Sequence, residues 1–371
     1  MSGFGVFSTR EGGPRIGWRV GEHVLDLSAA GLGDVFGASV LNPFFERGRQ
    51  EWEGAVSRIL DAVERGAEPR FPLDEVQLHL PFDVADYVDF YSSLEHATNV
   101  GRLLRPDQEP LLPNWRWLPI GYHGRAGTVV VSGTDVVRPC GQTVPLGGGE
   151  PLFGPTRKLD VELELGFVTG VGSERRKPLR TEDFADHVFG IVLLNDWSAR
   201  DIQAWEYQPL GPFLGKSFQT SIAAWVTPLV LLEDARTTAP AQVPSPLPHL
   251  ADGRDWGLDI ELEIQLNGEV VSTGNARTLY WTMPQQLAHQ TSNGASVRAG
   301  DLAGTGAISG AAPGSEGSLL ELTRNGAEPF RLRDGSERSF LEDGDRVVLT
   351  ARTGTLSLGE VTGRVVPAAA A

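Results

Sequence analysis

The chain has 371 residues and a formal net charge of -16 at pH 7, with 48 acidic against 32 basic side chains. This length suits two domains, or one large domain with a small one, and permits a deeply buried site. The acidic balance excludes nucleic acid and anionic membranes as favoured partners, because both repel a surface of their own charge. An anionic substrate would therefore need a local basic pocket.

Cys140 is the single cysteine, which excludes an intrachain disulfide and a four-thiolate zinc site. The N-terminal segment has no apolar signal core, and no apolar run is long enough to span a bilayer. We therefore expect a soluble protein of the reducing cytoplasm.

Residues 1–30 carry short apolar segments separated by turns rich in glycine and proline, which predicts a small β-barrel. Residues 51–66 carry apolar side chains at helical spacing and end in glycine, which predicts a helix. The segment EPRFPLDE that follows is predicted to be a linker. We expect a domain boundary near residues 70–85.

From residue 126 onward, apolar or alternating segments bounded by glycine and proline dominate, and helical patterns are few. The predicted fold class is mainly β with some helices (α+β). The proline-rich and alanine-rich stretch 233–257 is predicted to be a surface excursion. The glycine run 147–149 lacks the strand, helix and lysine of a phosphate-binding loop, so we assign it to a connection.

The segment LDVELELGF places Asp160, Glu162 and Glu164 on one face of a predicted strand. Such alternation is typical either of a solvated acidic face or of a site for a hard cation. The segment LDIELEIQLNG repeats the pattern with Glu261 and Glu263, so spacing alone does not separate the two alternatives. Because this second copy runs into Asn-Gly, the strongest short hairpin signal, we assign it to an exposed hairpin.

Asp196 ends a predicted buried strand, and a capping box from Ser198 to Asp201 is predicted to begin the helix that follows. One polar face of this helix is aimed toward the strand end. The residues on that face are Arg200, Gln203 and Tyr207. An ordinary amphipathic helix would show the same spacing, so both interpretations stay open. Lys216 and Thr220, beyond a Gly-Pro turn, are equally open.

Asp89 precedes a second predicted capping box, from Ser92 to Glu95, which places His96 in the first turn of a helix. Imidazole suits general-base chemistry near neutral pH. A lone histidine is more often structural, but His96 is the histidine whose acidic neighbours suggest chemistry.

Motifs of several common enzyme classes are absent from the sequence. No G-x-S-x-G, HExxH or GxGxxG pattern occurs, which leaves little support for a serine hydrolase, a zinc protease or a dinucleotide enzyme. A site built from carboxylates alone favours Mg²⁺ or Ca²⁺. A non-catalytic Ca²⁺-binding or structural protein is the alternative from a different class.

Five segments together resemble the fumarylacetoacetate hydrolase family: DFYSSLEHATNVG, LLPNWRWLPIGYHGRAGTVVVSG, LDVELE, NDWSARDIQAWEYQPLGPFLGKSF and YWTMPQQLAHQTSNG. The resemblance implies a small SH3-like N-terminal β-barrel in residues 1–80. It implies a large mixed β-roll catalytic domain in residues 81–371, and a homodimer. The implied reaction is metal-dependent hydrolysis of a carbon–carbon bond in 4-fumarylacetoacetate, the last step of tyrosine and phenylalanine catabolism.

The resemblance also implies roles for individual residues. The implied metal ligands are Asp89, Glu162, Glu164 and Asp196, with Lys216 and Thr220 near a second cation. The implied base is His96, oriented by Glu321, a residue that no local pattern selects. The groups implied to act on the reacting oxygen are Arg200, Gln203 and Lys216. The implied substrate contacts are Tyr91, Arg105, Tyr122, Gln203, Tyr207 and Ala307.

One position departs from the family pattern. The chain has GAISG where the family has GTISG, so Ala307 stands in place of a threonine that contacts substrate. An acylpyruvate or another β-diketo acid therefore stays open as the substrate.

Overall fold

The computed structural model describes residues 3–145, 147–251 and 255–369. Strands dominate and helices are few, with a small β domain at the N-terminus, so the predicted fold class is confirmed. The outer ends of the two predicted domains, residues 1–2 and 370–371, lie outside the described residues, as do residues 252–254 of the predicted surface excursion. Within the described part of the chain, no helix combines the length and the apolar character needed to cross a membrane.

The N-terminal part contains five strands and two helices of regular α type. Their bounds are Phe4–Ser8 (β1), Arg15–Val20 (β2), His23–Asp26 (β3), Asn42–Phe45 (α1), Arg49–Glu64 (α2), Arg70–Pro72 (β4) and Gln77–His79 (β5). The predicted helix at residues 51–66 corresponds to α2. The predicted linker after it is wrong in part, because β4 lies there and pairs with β3. Phe71 of β4 packs against Phe7, which explains why this segment is held in the sheet.

The next part of the chain begins with the strand that carries Asp89. Its elements are Asp86–Phe90 (β6), Leu94–Leu104 (α3), Gly121–His123 (β7), Val129–Val131 (β8), Val136–Val137 (β9), Cys140–Thr143 (β10), Leu152–Pro155 (β11), Leu159–Asp160 (β12), Leu163–Thr169 (β13), Phe184–His187 (α4), Val188–Asp196 (β14), Ser198–Ala199 (β15), Arg200–Glu206 (α5), Thr220–Ile222 (β16), Trp225–Pro228 (β17) and Arg236–Thr237 (β18). The remaining elements are Gly257–Leu258 (β19), Glu261–Leu266 (β20), Glu269–Asn275 (β21), Met283–Thr291 (α6), Asp301–Gly304 (β22), Leu319–Leu322 (α7), Phe330–Arg331 (β23), Glu337–Arg338 (β24), Arg346–Thr353 (β25) and Leu356–Val366 (β26).

One mixed sheet contains thirteen strands, ordered β4-β3-β2-β1-β17-β14-β13-β22-β6-β7, with β5 beside β1, β16 beside β14 and β8 beside β16. A second sheet of five strands has the order β21-β20-β25-β26-β9. The N-terminal strands join the large sheet because β1 pairs with β17. The division of the chain at residue 80 stays a prediction.

The central strands β13 and β14 are buried along their whole length. Phe167 and Ile191 face the core shared with the five-stranded sheet. Val168 and Val192 face the opposite core, which also contains α2 and the N-terminal strands. A strand covered on both faces has a continuous apolar sequence, as in the GIVLL run of β14.

The hairpin predicted at Asn267-Gly268 is confirmed. Both residues have positive φ, 52° and 82°, as a type I′ turn requires, and they connect the paired strands β20 and β21. Glu261 of this hairpin is exposed and its carboxylate pairs with Arg352. The second acidic copy therefore lies at the surface, as the sequence predicts.

Phe189, at the start of β14, joins the N-terminal part to the central sheet. Its ring lies 4.7 to 5.6 Å from four other aromatic rings, measured between centroids. These rings belong to Phe4, Phe44, Phe45 and Trp52. The cluster is fully buried, so it contributes to the stability of both parts.

We predict that Phe189→Ala destabilises the fold by about 3–5 kcal/mol, because it leaves a cavity among rings that cannot collapse into it. Urea denaturation, followed by tryptophan fluorescence, measures this free energy of unfolding. Phe153→Ala is the matched control, since Phe153 is 71% exposed and its loss should cost less than about 0.5 kcal/mol. Equal effects of the two substitutions would contradict the prediction.

Candidate active site

Neighbouring strands of the large sheet bring four acidic side chains together. Asp89 lies near the end of β6, Glu164 in β13, and Asp196 at the end of β14, while Glu162 directly precedes β13. β22 lies between β6 and β13, and it aligns Gly304 with Asp89. All four carboxylates are buried, and each offers an oxygen within 4.8 Å of the others. The predicted metal ligands are thus adjacent in space.

Burial and repulsion between like charges destabilise the ionised form of two of these carboxylates. Burial raises the pKa of Asp89 well above its usual range, and the charge of Asp196 raises it further. The pKa of Glu164 is raised in the same way by burial and by Asp89. Oδ1 of Asp89 and Oε1 of Glu164 are buried, and neither has a hydrogen-bond partner among the described residues. A divalent cation with oxygen ligands would satisfy both atoms and offset the repulsion, so the residues present fit such an ion.

Two basic side chains, Lys216 and Arg200, lie on the other side of the cluster. Nζ of Lys216 contacts Glu162 and lies 2.7 Å from Oδ2 of Asp196. Nη2 of Arg200 lies 2.7 Å from Oε1 of Glu162 but lacks hydrogen-bond geometry, so this contact is mainly Coulombic. Burial would raise the pKa of Glu162, but the charges of Arg200 and Lys216 outweigh burial and lower that pKa to about 2. Glu162 is therefore ionised.

Asp196 also accepts two hydrogen bonds from neutral side chains. Tyr122 Oη donates to Oδ2 at 2.9 Å, and Thr220 Oγ1 donates to Oδ1 at 3.1 Å. Thr220 lines a separate cavity of about 240 Å³ that shares Tyr122 and Lys216 with the main one. The side chains of Lys216 and Thr220 act as donors here. Their implied place near a second cation stays a prediction.

His96 and Glu321 form a close pair, although 225 residues separate them in sequence. Nδ1 of His96 lies 2.6 Å from Oε2 of Glu321, and both side chains are buried. Nε2 of His96 faces the carboxylate cluster, 3.7 Å from Oε1 of Glu162. His96 lies in the first turn of α3 as predicted, but the cap is Ser93, whose Oγ accepts from the backbone N–H of His96. The predicted Ser92 cap is wrong by one residue, because Ser92 Oγ instead accepts from Gln286.

Glu321 is held by a set of donors around its carboxylate. Ser309 Oγ lies 3.0 Å from both oxygens, Ser318 Oγ donates to Oε2 at 2.8 Å, and Asn99 Nδ2 donates to Oε1 at 3.0 Å. Burial would raise its pKa, but His96 and these hydrogen bonds outweigh burial and lower it. Sequence reasoning missed Ser309 and Asn99. Ser318-Leu-Leu-Glu321 has the spacing of a capping box, and this signal could have indicated Glu321.

The main cavity, of about 450 Å³, opens onto these groups. It is lined by His96, by two of the four clustered carboxylate residues, Asp89 and Glu162, and by the predicted substrate contacts. Those contacts are Tyr91, Arg105, Tyr122, Gln203, Tyr207 and Ala307. Glu164 and Asp196, the other two clustered acids, do not line this cavity. Glu321 lies behind His96.

The helix that carries Arg200 begins differently from the prediction. The residue before α5 is Ala199, which has no side chain to cap the helix, so the predicted Ser198–Asp201 box is wrong. Asp201 instead accepts hydrogen bonds from Thr156 and from the backbone N–H of Arg157. Ser198 Oγ donates to the backbone oxygen of Asp196 at 3.0 Å. Both side chains therefore stabilise the strand ends beside the site.

A buried carboxylate cluster beside a histidine–glutamate pair, at one cavity of a mainly β fold, defines a metal-dependent enzyme that acts on a small molecule. Comparison with known families agrees with this class. Residues 86–366 match the family described as fumarylacetoacetate (FAA) hydrolase C-terminal, and residues 3–81 match fumarylacetoacetase N-terminal. The chain belongs to the fumarylacetoacetate hydrolase family.

Curated relatives match nearly the whole chain. The fumarylacetoacetase of Arabidopsis thaliana is 45% identical over 397 residues, which cover 98% of this chain and 94% of the relative. The fumarylacetoacetase of Homo sapiens is 42% identical and covers 98% and 95% respectively. Among solved structures, a fumarylacetoacetate hydrolase from Exiguobacterium antarcticum has a TM-score of 0.60 at 18% identity, with 99% of this chain and 100% of that chain covered. This last likeness supports the fold alone.

We predict that Gly304→Ala weakens cation binding. A Cβ atom at Gly304 would lie 2.8 Å from Oδ1 of Asp89 and 2.9 Å from Oε2 of Glu164, so the carboxylates must move. Isothermal titration with Mg²⁺ and with Ca²⁺ should show affinity lower by about 10- to 100-fold, as for other changes beside metal ligands. Gly274→Ala in β21 is the control, because its Cβ atom makes only an ordinary contact at 3.6 Å. Unchanged affinity in Gly304→Ala would contradict the prediction.

Proposed function

We propose that this chain hydrolyses a carbon–carbon bond of 4-fumarylacetoacetate to give fumarate and acetoacetate. The observation that carries the proposal is the 2.6 Å contact between His96 and Glu321, with His96 facing the buried carboxylates. The curated relatives with the name fumarylacetoacetase, at 42% to 45% identity over almost the full chain, support the same reaction. The reaction would then be the last step of tyrosine and phenylalanine catabolism.

The proposed cofactor is a divalent cation, Mg²⁺ or Ca²⁺, because both prefer oxygen ligands. The proposed ligands are Asp89, Glu162, Glu164 and Asp196. When bound there, the cation supplies Lewis acidity toward the two neighbouring oxygens of a 1,3-dicarbonyl. The partnerless oxygens of Asp89 and Glu164 support this assignment.

His96 is the proposed general base. Because Glu321 is an acceptor, Nδ1 of His96 carries a proton and Nε2 is left as the accepting nitrogen. Nε2 takes a proton from water, and the water oxygen forms a bond to the carbonyl carbon on the fumaroyl side. The carbonyl electron pair moves onto its oxygen, which becomes an alkoxide.

Arg200, Gln203 and Lys216 are the proposed donors to this alkoxide. Arg200 lines the cavity, and its Nη2, although 2.7 Å from Glu162, makes no contact of hydrogen-bond geometry within the described residues. Charged donors held in place before the reaction stabilise developing charge most effectively. As the carbonyl re-forms, the carbon–carbon bond breaks and its electron pair stays on acetoacetate as an enolate. His96 then gives the proton that it took from water to that carbon, which balances the reaction.

The terminal carboxylates of the substrate need donors farther along the cavity. Nε of Arg105 is buried without a hydrogen-bond partner, and Nη2 of Arg105 donates to the backbone oxygen of Pro110 at 3.0 Å. A guanidinium held from one end can bind a carboxylate with its other donors. The proposed hydroxyl contacts are Tyr91, Tyr122 and Tyr207.

An acylpyruvate or another β-diketo acid is the second candidate substrate. Ala307 is buried at the cavity wall and offers no hydroxyl to a polar acyl group. Leu104, Leu111 and Leu112 add apolar surface to the same cavity. These side chains favour an apolar acyl end, whereas Arg105 favours an acidic one. The ratio of kcat/KM for the two substrates decides between them.

Three further proposals are a homodimer, which the family resemblance supports, a cytoplasmic location, which the single cysteine supports, and the absence of nucleic acid and membrane partners. The net charge of -16 is unfavourable for anionic partners. The exposed apolar side chains Leu210, Phe213 and Leu214 beside α5 are consistent with contact between two copies of the chain.

We predict that the purified chain turns over 4-fumarylacetoacetate and that a chelator abolishes turnover. Substrate loss is followed by its absorbance, and added Mg²⁺ or Ca²⁺ should restore the rate. Glu164→Gln should raise the cation concentration for half-maximal turnover by more than about 10-fold, because a ligand charge is lost. Glu263→Gln, at the same position of the exposed copy, should change nothing. Turnover that survives the chelator would contradict a metal-dependent reaction.

We predict that His96→Ala lowers kcat by about 10²- to 10⁴-fold, the usual contribution of a general base. Glu321→Gln should lower kcat by at least about 10²-fold, because an amide can present its N–H₂ to Nδ1 and select the wrong tautomer. Both variants should keep the cation affinity of the unmodified chain. The control is His23→Ala, since His23 is exposed in β3. A kcat that is unaffected in His96→Ala would overturn the proposed base.

A further inference from the structure

Asp160 is a fully buried carboxylate that the proposed mechanism does not use. Its oxygens accept four hydrogen bonds. Oδ2 accepts from Nε of Arg200 at 2.7 Å and from the backbone N–H of Leu320 at 3.0 Å. Oδ1 accepts from the backbone N–H groups of Leu319 and Val161, both at 2.8 Å. The carboxylate is therefore fully satisfied by donors from three parts of the chain.

Asp160 does not belong to the group of four carboxylates, although the alternating sequence places it on the same strand face as Glu162 and Glu164. The strand is interrupted: β12 pairs with β15, Glu162 forms an isolated bridge with Ser318, and β13 begins only at Leu163. This break turns Asp160 toward α5 and α7. Its neighbours are donors rather than other acids.

One pair of donors to Asp160 belongs to the first turn of α7. Leu319 and Leu320 are the first two residues of this helix, and Glu321 is the third. The first N–H groups of a helix have no partner within it. Asp160 accepts from the first two, and Ser318 Oγ accepts from the third at 3.4 Å. The backbone that carries Glu321 is thus attached to Asp160.

The other donor, Nε of Arg200, sets the orientation of a planar guanidinium. With Nε fixed, Nη2 lies beside Glu162 and Nη1 lies 3.3 Å from Oε1 of Gln203. Arg200 and Asp160 are both buried, so loss of Arg200 would remove the cation paired with Asp160, whereas loss of Asp160 would leave Arg200 paired with Glu162. Asp160 therefore controls the direction in which Nη1 and Nη2 of Arg200 point, toward Gln203 and Glu162.

We propose that Asp160 is a positioning residue that holds the guanidinium of Arg200 and the first turn of α7, with Glu321, in a fixed relation across the active site. The expected effect of Asp160 on the reaction rate rests on the proposed function. Asp160 thereby connects Arg200, the proposed donor to the alkoxide, with Glu321, the group that orients the proposed base. Asp160 itself touches neither substrate nor cation.

The kinetic test compares Asp160→Asn with Asp259→Asn, the same position in the exposed copy of the acidic segment. We expect kcat to fall by about 10- to 100-fold in Asp160→Asn, with KM changed by less than about 3-fold, because geometry rather than binding is lost. Asp259→Asn should keep the wild-type kcat and KM. The double variant Asp160→Asn with Arg200→Ala should be slower than Arg200→Ala alone by a smaller factor than Asp160→Asn costs in the unmodified chain. The part of the loss that acts through Arg200 is then absent, and only the part that acts through α7 remains.

A spectroscopic test is independent of turnover. The Nε–Hε NMR signal of Arg200, identified by its loss in Arg200→Lys, should exchange slowly in the unmodified chain and quickly in Asp160→Asn. Thermal unfolding shows whether Asp160→Asn is folded at the assay temperature. If it is unfolded, Asp160→Glu replaces it under the same criteria, because that change keeps the charge and displaces it.

Wild-type kcat in the folded variant, additive losses in the double variant, or an unchanged Arg200 signal would each overturn the role of Asp160. Failure of the proposed function has a different signature. The unmodified chain would then turn over no β-diketo acid, and the Arg200 signal alone would decide whether Asp160 positions this side chain.

Discussion

The structure depends on the confinement of four carboxylates within one buried space. Ions of the same sign repel strongly where water is excluded, and each of them also loses its hydration. Lys216 and Arg200 compensate Glu162 and Asp196 through direct contacts. Asp89 and Glu164 retain oxygens without partners, so the chain neutralises the cluster only in part. The negative charge and the unpaired oxygens that remain are those that a divalent cation would neutralise and bind.

Geometry that brings the acids so close requires a rigid support. β13 and β14 provide it, because cores on both faces hold them and neighbouring strands fix their register. Gly304 of β22 lets Asp89 and Glu164 approach, since any Cβ atom there would collide with both. The dyad of His96 and Glu321 stands apart from this cluster, in helices α3 and α7. The proposed cation ligands and the proposed base thus reside in separate elements that meet at Glu162.

Local sequence patterns could predict the central strands, the helix α2 and the exposed hairpin, because each depends on nearby residues. They could not separate the acidic segment at 160–164 from its copy at 259–263, since burial is decided by distant strands. They also could not pair His96 with Glu321, which the fold joins across 225 residues. The predicted caps failed where tertiary contacts competed: Asp201 accepts from Thr156 and Arg157, outside its helix, as well as from the adjacent N–H of Ile202. Resemblance to a family supplied what spacing lacked.

The residues of the cavity wall and the residues proposed to react lie in different kinds of structure. The carboxylates and the dyad are buried in strands and helix ends, whereas the wall includes Arg105 just past α3 and Leu210 in the loop after α5. Within the single chain the side chain of Leu210 is 96% exposed, so packing restrains this side chain little. Sequence changes in loops have little effect on the protein core. A shift of the strand ends, in contrast, would disturb every charge in the cluster. We therefore propose that the strand ends and the helix ends determine the reaction, and that the wall determines the choice of acyl group, because Ala307 and Arg105 would favour different substrates.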